Sequence, residues 1–161
     1  GDNLESITAG STTDPQITRI TLVWSGDDNV ISQIKKQLNK LVDIIKVTDL
    51  TQVPSLHREL ALIKVRARPS QRGEIAQVAD VFRARVLDVG SDSMVLEVTG
   101  SPEKIDDMAG LLAPYTILEI ARSGLISVER GRKSGPAGKS GAMSAKGVQE
   151  QWNESTSSTL P

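Results

Sequence analysis

Apolar residues change their spacing along this chain in a way that marks out its elements. Ile17, Ile20, Leu22 and Trp24 lie with Thr18 and Thr21 in a run rich in β-formers, and Ser11–Pro15 before it is turn chemistry. Residues 4–10 are the expected partner strand of that hairpin. Gly26-Asp27-Asp28 then offers a turn and an N-cap. Val30, Ile31, Ile34, Leu38 and Leu41 follow at three- and four-residue spacing, one stripe of a helix, with Lys35, Lys36, Gln37 and Lys40 on its wet side. Ile44, Ile45 and Val47 predict a further strand ending near Leu50.

The second half repeats the rhythm. Ala61, Ile63 and Val65 alternate with Leu62, Lys64 and Arg66, as on the two faces of a strand. Pro69-Ser70 opens a helix with Ile75, Val78, Ala79 and Phe82 as its stripe. Val86–Val89 and Met94–Thr99 predict a hairpin across Gly90-Ser91-Asp92. Ser101-Pro102-Glu103 is a helix start with a hydroxyl N-cap, Pro at N1 and an acid in the first turn. Ile105, Met108, Leu111 and Leu112 form its expected buried face. Ile117–Ala121 is expected as the last central strand, extended by Leu125–Val128 after Gly124.

Residues 58–128 therefore read as strand, helix, strand, strand, helix, strand, a complete split βαβ unit. Residues 4–50 read as the same unit without its opening strand and helix, and the start at Gly1 rather than Met agrees with a missing piece. The expected organisation is a truncated first module over 1–50, a linker over 51–57 that contains Pro54, a second module over 58–130 and a tail over 131–161. The missing strand is a central one, so the first module is expected to expose unpaired edges. The tail carries five Gly and six Ser with few large apolar residues, a composition that does not offset the entropy of ordering. It is expected to be disordered, with Trp152 as its only aromatic.

Composition then narrows the chemistry. Charge is nearly balanced, 19 basic against 20 acidic residues, so no bulk attraction to nucleic acid or membrane is visible. No apolar run approaches the roughly 20 residues of a membrane-spanning helix. Absence of cysteine excludes disulfides, thiolate metal sites and a cysteine nucleophile. His57 is the only histidine, at a module junction where packing outweighs catalysis, and no metal site is expected. Asp27-Asp28 and Asp106-Asp107 are assigned to first turns of helices, where capping explains them better than acid–base work. There is no P-loop or dinucleotide glycine pattern. Arg58, Lys64, Arg66, Arg68, Arg72, Arg83 and Arg85 make the second module basic. Its strands, however, lack the aromatics on which RNA-binding modules stack bases, so a solvated face or an acidic protein partner is the better account.

Five segments then suggest a family. Asn3-Leu4-Glu5-Ser6, Gln37-Leu38-Asn39-Lys40-Leu41-Val42, Arg58-Glu59-Leu60-Ala61-Leu62-Ile63-Lys64-Val65, Val81-Phe82-Arg83-Ala84-Arg85-Val86 and Glu119-Ile120-Ala121-Arg122-Ser123-Gly124 occur in that order. Together they closely resemble the regulatory (small) subunit of acetolactate synthase, also called acetohydroxyacid synthase, over about residues 1–130.

The resemblance implies an α+β fold of two ferredoxin-like, ACT-like modules, the first truncated. It implies no catalysis here: thiamine diphosphate, magnesium and the joining of 2-oxo acids belong to the catalytic large subunit, the expected partner. The small subunit would stimulate that enzyme and confer feedback inhibition by valine or a related branched-chain amino acid. Such effectors bind at a dimer interface, so a homodimer is expected. Asn3, with Leu4 beside it, is the effector contact that carries over; the alternative role for Asn3 is to cap the chain's entry into a strand. Asp2 stands where the family usually has an aromatic, and much of the family's effector loop is absent, so weak or no effector binding by this chain alone is expected. The implied compartment is cytoplasm or plastid stroma. A stand-alone ACT-like amino-acid sensor or a dimerisation module is the alternative.

Overall fold

The computed structural model describes residues 3–41, 43–51, 53–131 and 148–153. The chain divides into two compact units, one of His57–Gly124 and one built from the residues before it together with those from Leu125 on. Strand β4 (Ser55–Arg66) crosses the boundary, so the expected linker 51–57 is in part strand.

In the second unit, β4 is followed by a 3-10 turn at Pro69–Gln71, helix α2 (Arg72–Val81), β5 (Arg85–Val89), β6 (Ser93–Gly100), α3 (Pro102–Leu112), a second 3-10 turn at Ala113–Tyr115 and β7 (Ile117–Arg122). The sheet has five strands: β5-β6-β4-β7 pair antiparallel in that order, and a later strand, β8 (Ile126–Glu129), also pairs with β4. β7 thus ends that order rather than lying at its centre as expected. The alternation along β4 has the predicted consequence: Ala61, Ile63 and Val65 are fully buried. They meet Met94, Leu96 and Val98 of β6, Ile75 and Ala79 of α2, and Ile105, Met108 and Leu112 of α3 in one core. Leu111, expected inside, is half exposed at 54 %, because the helix turns it away from Leu112.

The caps are local and legible. Ser101 accepts from the Lys104 amide at 3.2 Å with Pro102 behind it. Helix α2 ends in a Schellman motif: the Ala84 amide donates to the Ala79 carbonyl and the Arg83 amide to the Asp80 carbonyl. Arg83 takes the left-handed position usually held by glycine, with φ 53°. The hairpin turn closes where the Gly90 amide donates to the Ser93 carbonyl at 2.8 Å.

In the first unit, β1 (Asn3–Ser11) and β2 (Ile17–Ser25) form the expected hairpin, followed by α1 (Asp28–Leu38) and β3 (Ile44–Asp49). Asp27 caps α1, its carboxylate accepting from the Val30 amide at 3.0 Å. The helix ends at Leu38, so Leu41 falls outside its stripe and is exposed. The expected extension of β7 is instead a separate strand, β8 (Ile126–Glu129), after a break at Gly124 with φ 82°, and it belongs to this first unit. There the Arg19 guanidinium donates to the Ser127 carbonyl at 3.0 Å and the Arg130 amide to the Pro54 carbonyl at 2.7 Å.

The largest departure lies in the tail. Val148–Asn153 form strand β9, and the sheet order is β1-β2-β9-β3. Residues 132–147 and 154–161, the greater part of the expected tail, lie outside the described residues. β9 lies between β2 and β3, antiparallel to both.

Candidate regulatory site

The stripe on α1 only partly becomes core. Ile31 is buried at 2 % exposure, whereas Val30, Ile34 and Leu38 are half-buried. With Leu22 and Trp24 of β2 they line an open groove of about 750 Å³ between helix and sheet. Lys36, Gln37 and Lys40 stand on its rim. The sequence marks these apolar positions by helical and strand period, but period alone does not distinguish a filled core from a groove.

Asn3 and Leu4 lie at the head of β1, opposite Ser25 and Trp24 respectively. The structure thus brings the carried-over pair beside a groove residue, Trp24, with Leu4 itself 41 % exposed. The Trp24 indole nitrogen is buried without a hydrogen-bond partner among the described residues.

Two charged groups inside this unit are held away from their ordinary behaviour. Asp49, 2 % exposed, has its carboxyl pushed up by burial, against hydrogen bonds from the Thr51 amide (3.0 Å) and hydroxyl (2.9 Å) and the charge of Lys35. Burial lowers the Arg19 guanidinium. Each is a packed group of the scaffold, remote in register from Asn3.

The remaining candidates resolve into structure. Asp106 lies beyond the first turn of α3, so its assignment to a cap is corrected: it accepts from the Arg122 guanidinium. Arg122 also grips Glu59 with two bonds, Nε to Oε1 at 2.9 Å and Nη2 to Oε2 at 3.0 Å. This clasp joins β4, β7 and α3, a partnership between residues far apart in sequence. Of the basic residues, Arg72 donates to the Gly90 and Ser91 carbonyls and Arg58 to the His57 carbonyl, which ties both to local backbone. His57 lies within β4. Among the described residues no three acidic or histidine side chains gather as a metal site, and no helix is long and apolar enough to cross a membrane.

Two family models match this chain in succession: "AHAS small subunit-like ACT domain" over residues 1–46 and "Small subunit of acetolactate synthase" over residues 58–131. The acetolactate synthase small subunit of Bacillus subtilis is 48 % identical over 130 residues, 80 % of this chain and 76 % of the relative. That of Mycolicibacterium smegmatis is 45 % identical over 139 residues, covering 86 % and 82 %. A crystal structure of the acetolactate synthase small subunit of Thermotoga maritima superposes with a TM-score of 0.74 at 37 % identity, covering 83 % of each chain. The two-unit α+β architecture, the ordered family matches and these relatives agree: the chain belongs to the acetolactate synthase small-subunit family.

Proposed function

We propose that this chain is a non-catalytic regulatory subunit that assembles with a catalytic acetolactate synthase subunit, raises its activity and mediates feedback inhibition by valine. The observation that carries the reading is the match of both units, in order, to small-subunit models. The relatives are named small subunits, a name that implies a large one. Thiamine diphosphate and magnesium belong, in this reading, to that catalytic partner. Cytoplasm or plastid stroma is the compartment in which the pair would work.

An effector regulates only if it binds one arrangement of the subunits better than another. Asn3 and Leu4 are the proposed valine contacts, since they sit at the head of β1 beside Trp24 and the groove. The site is proposed to form between two copies of the chain. The arginine-bearing second unit is the proposed surface for dimerisation or for docking the catalytic subunit.

The test adds the purified chain to a catalytic acetolactate synthase subunit supplied with thiamine diphosphate and Mg²⁺ and follows acetolactate formed from pyruvate. Stimulation is expected, with at most a weak valine response from this chain alone, lowered further by Asn3→Ala or Leu4→Ala. Turnover of pyruvate by the chain alone would overturn the non-catalytic reading.

A further inference from the structure

Helix α2 runs into β5 through a corner whose side chains alternate between the core and the surface. Phe82 and Ala84 pack against the core of the second unit. Val81, Arg83 and Arg85, at the alternate positions, are all exposed, Val81 at 75 %. The corner is held by main-chain hydrogen bonds of 3.3, 3.1 and 2.8 Å, from the Phe82, Arg83 and Ala84 amides to the Val78, Asp80 and Ala79 carbonyls. Strand β5 then lies at the end of the sheet order, paired with β6, and Leu87 at its bulge is half exposed.

Arg83 holds the left-handed position at φ 53°, where any Cβ is crowded and glycine is unstrained. A cation near a helix C-terminus gains from the macrodipole, but a residue of the last turn has that gain without the strain. Nor does the side chain offset the strain locally. Among the described residues, neither Arg83 nor Arg85 makes an ion pair or a side-chain hydrogen bond, although Asp80 and Asp88 are near in sequence and Glu97 lies opposite Arg85 in register. Other cations of the unit are engaged: Arg122 with Glu59 and Asp106, Arg72 with the Gly90 and Ser91 carbonyls, Lys104 with the Thr99 carbonyl. Strain kept at a rigid, exposed and unpaired guanidinium marks a group held for a contact outside its own fold.

We propose that this corner, with Arg83 and Arg85 as its charged anchors and Val81 and Leu87 as its apolar ones, docks a carboxylate-bearing face of the catalytic subunit. The inference rests on the reading of the chain as a regulatory subunit and adds which surface meets the enzyme. Charge complementarity decides the occupant. Two unpaired guanidinia two residues apart repel a second copy in any two-fold contact that lays the corner on itself, whereas a face bearing Asp and Glu pairs with both. Arginine beside exposed apolar residues also matches the make-up of protein interfaces, where arginine is enriched and carries much of the binding energy. The hydrogen-bonded corner is already in shape, so little order has to be gained on docking.

The test measures the affinity of the full chain for an immobilised catalytic acetolactate synthase subunit, together with the urea midpoint of the second unit. Arg83→Gly should raise the midpoint and yet weaken binding roughly tenfold, and Arg83→Gly/Arg85→Gln should weaken it further. The double variant should also lose affinity less steeply than the wild type as salt is added. Arg83→Lys, which keeps the charge, should bind more tightly than Arg83→Gly. Wild-type affinity in the double variant would overturn the proposal and leave the regulatory reading standing, whereas a wild-type chain that binds no catalytic subunit would overturn both. A lowered midpoint in Arg83→Gly would remove the strain on which the argument stands and overturn it too. Sedimentation of the chain alone checks the other occupant: a double variant that loses self-association but keeps its affinity for the catalytic subunit would assign the corner to a second copy and overturn the proposal.

Discussion

Replacing Arg122 by methionine should weaken the second unit more than any other single surface-reaching change. The Glu59 side chain is 7 % exposed, and the Arg122 fork supplies both of its carboxylate bonds, at 2.9 and 3.0 Å. Breaking a buried ion pair by removing one partner costs about 3–5 kcal/mol, since a charge is left buried without its donors. Arg122 is 33 % exposed, so water can reach the vacated place and part of the loss is recovered. A net cost of about 2–3 kcal/mol follows, close to that of a hydrogen bond to a charged group (about 1.5–3 kcal/mol). For a unit of this size that lowers the melting temperature by roughly 10–20 °C. Asp106, 63 % exposed, adds little, and Asp106→Asn should cost less than about 1 kcal/mol.

The double variant Glu59→Met/Arg122→Met removes both charges. It should recover at least about 1 kcal/mol relative to the summed single losses, because nothing charged is left stranded. Glu59 and Asp106 hold the guanidinium above its ordinary value. A raised folded-state value contributes stability that is fully present below the unfolded value and lost only as pH rises through the folded one, far above neutrality. Titration of Arg122 itself should therefore add no pH dependence across the neutral range. Urea unfolding by circular dichroism, with hydrogen exchange of β4, β6 and β7 amides, measures all three variants. An Arg122→Met cost below about 0.5 kcal/mol, or strict additivity in the double variant, would refute the reasoning.

Tyr115 is the only tyrosine and donates to Glu74 at 2.7 Å, which holds the phenol above its ordinary value. Its tyrosinate absorbance should titrate late, and Glu74→Gln should move the midpoint down; the stability this bond gives is present below the unfolded value and lost as pH rises through the folded one. Asp49, raised by burial, works against folding once ionised. Stability of the first unit should thus fall as pH climbs through the folded-state value, and Asp49→Asn should stabilise it at neutral pH and flatten that dependence, read by chemical denaturation across pH. Arg83→Gly should stabilise the second unit by about 0.5–1 kcal/mol, since glycine removes the left-handed strain at φ 53°. Ile63→Ala, at the centre of the same core, should cost about 3–4 kcal/mol in the same denaturation experiment.

Local signals are the legible ones. The Asp27 and Ser101 caps, the alternation of β4 and the helical stripe through Ile75 and Ala79 each depend on neighbours within a turn or a pleat. Leu111 escapes because adjacent leucines both fit a loose stripe, and only the packing of α3 decides between them. Asp106 reads as a cap because its partner, Arg122, is 16 residues away and reached only through the fold. Val30, Ile34 and Leu38 carry a core pattern but line a groove, since nothing in a period says what lies opposite. The effector pair rests on resemblance, and its position at the head of β1 gives it a neighbour, Trp24, that the sequence does not indicate.

The most direct measurement of the central claim is acetolactate formation by a catalytic subunit titrated with this chain. The account expects the rate to rise to a plateau at a fixed subunit ratio. A rate that stays flat at every ratio, with catalytic subunits of several family members, would contradict it.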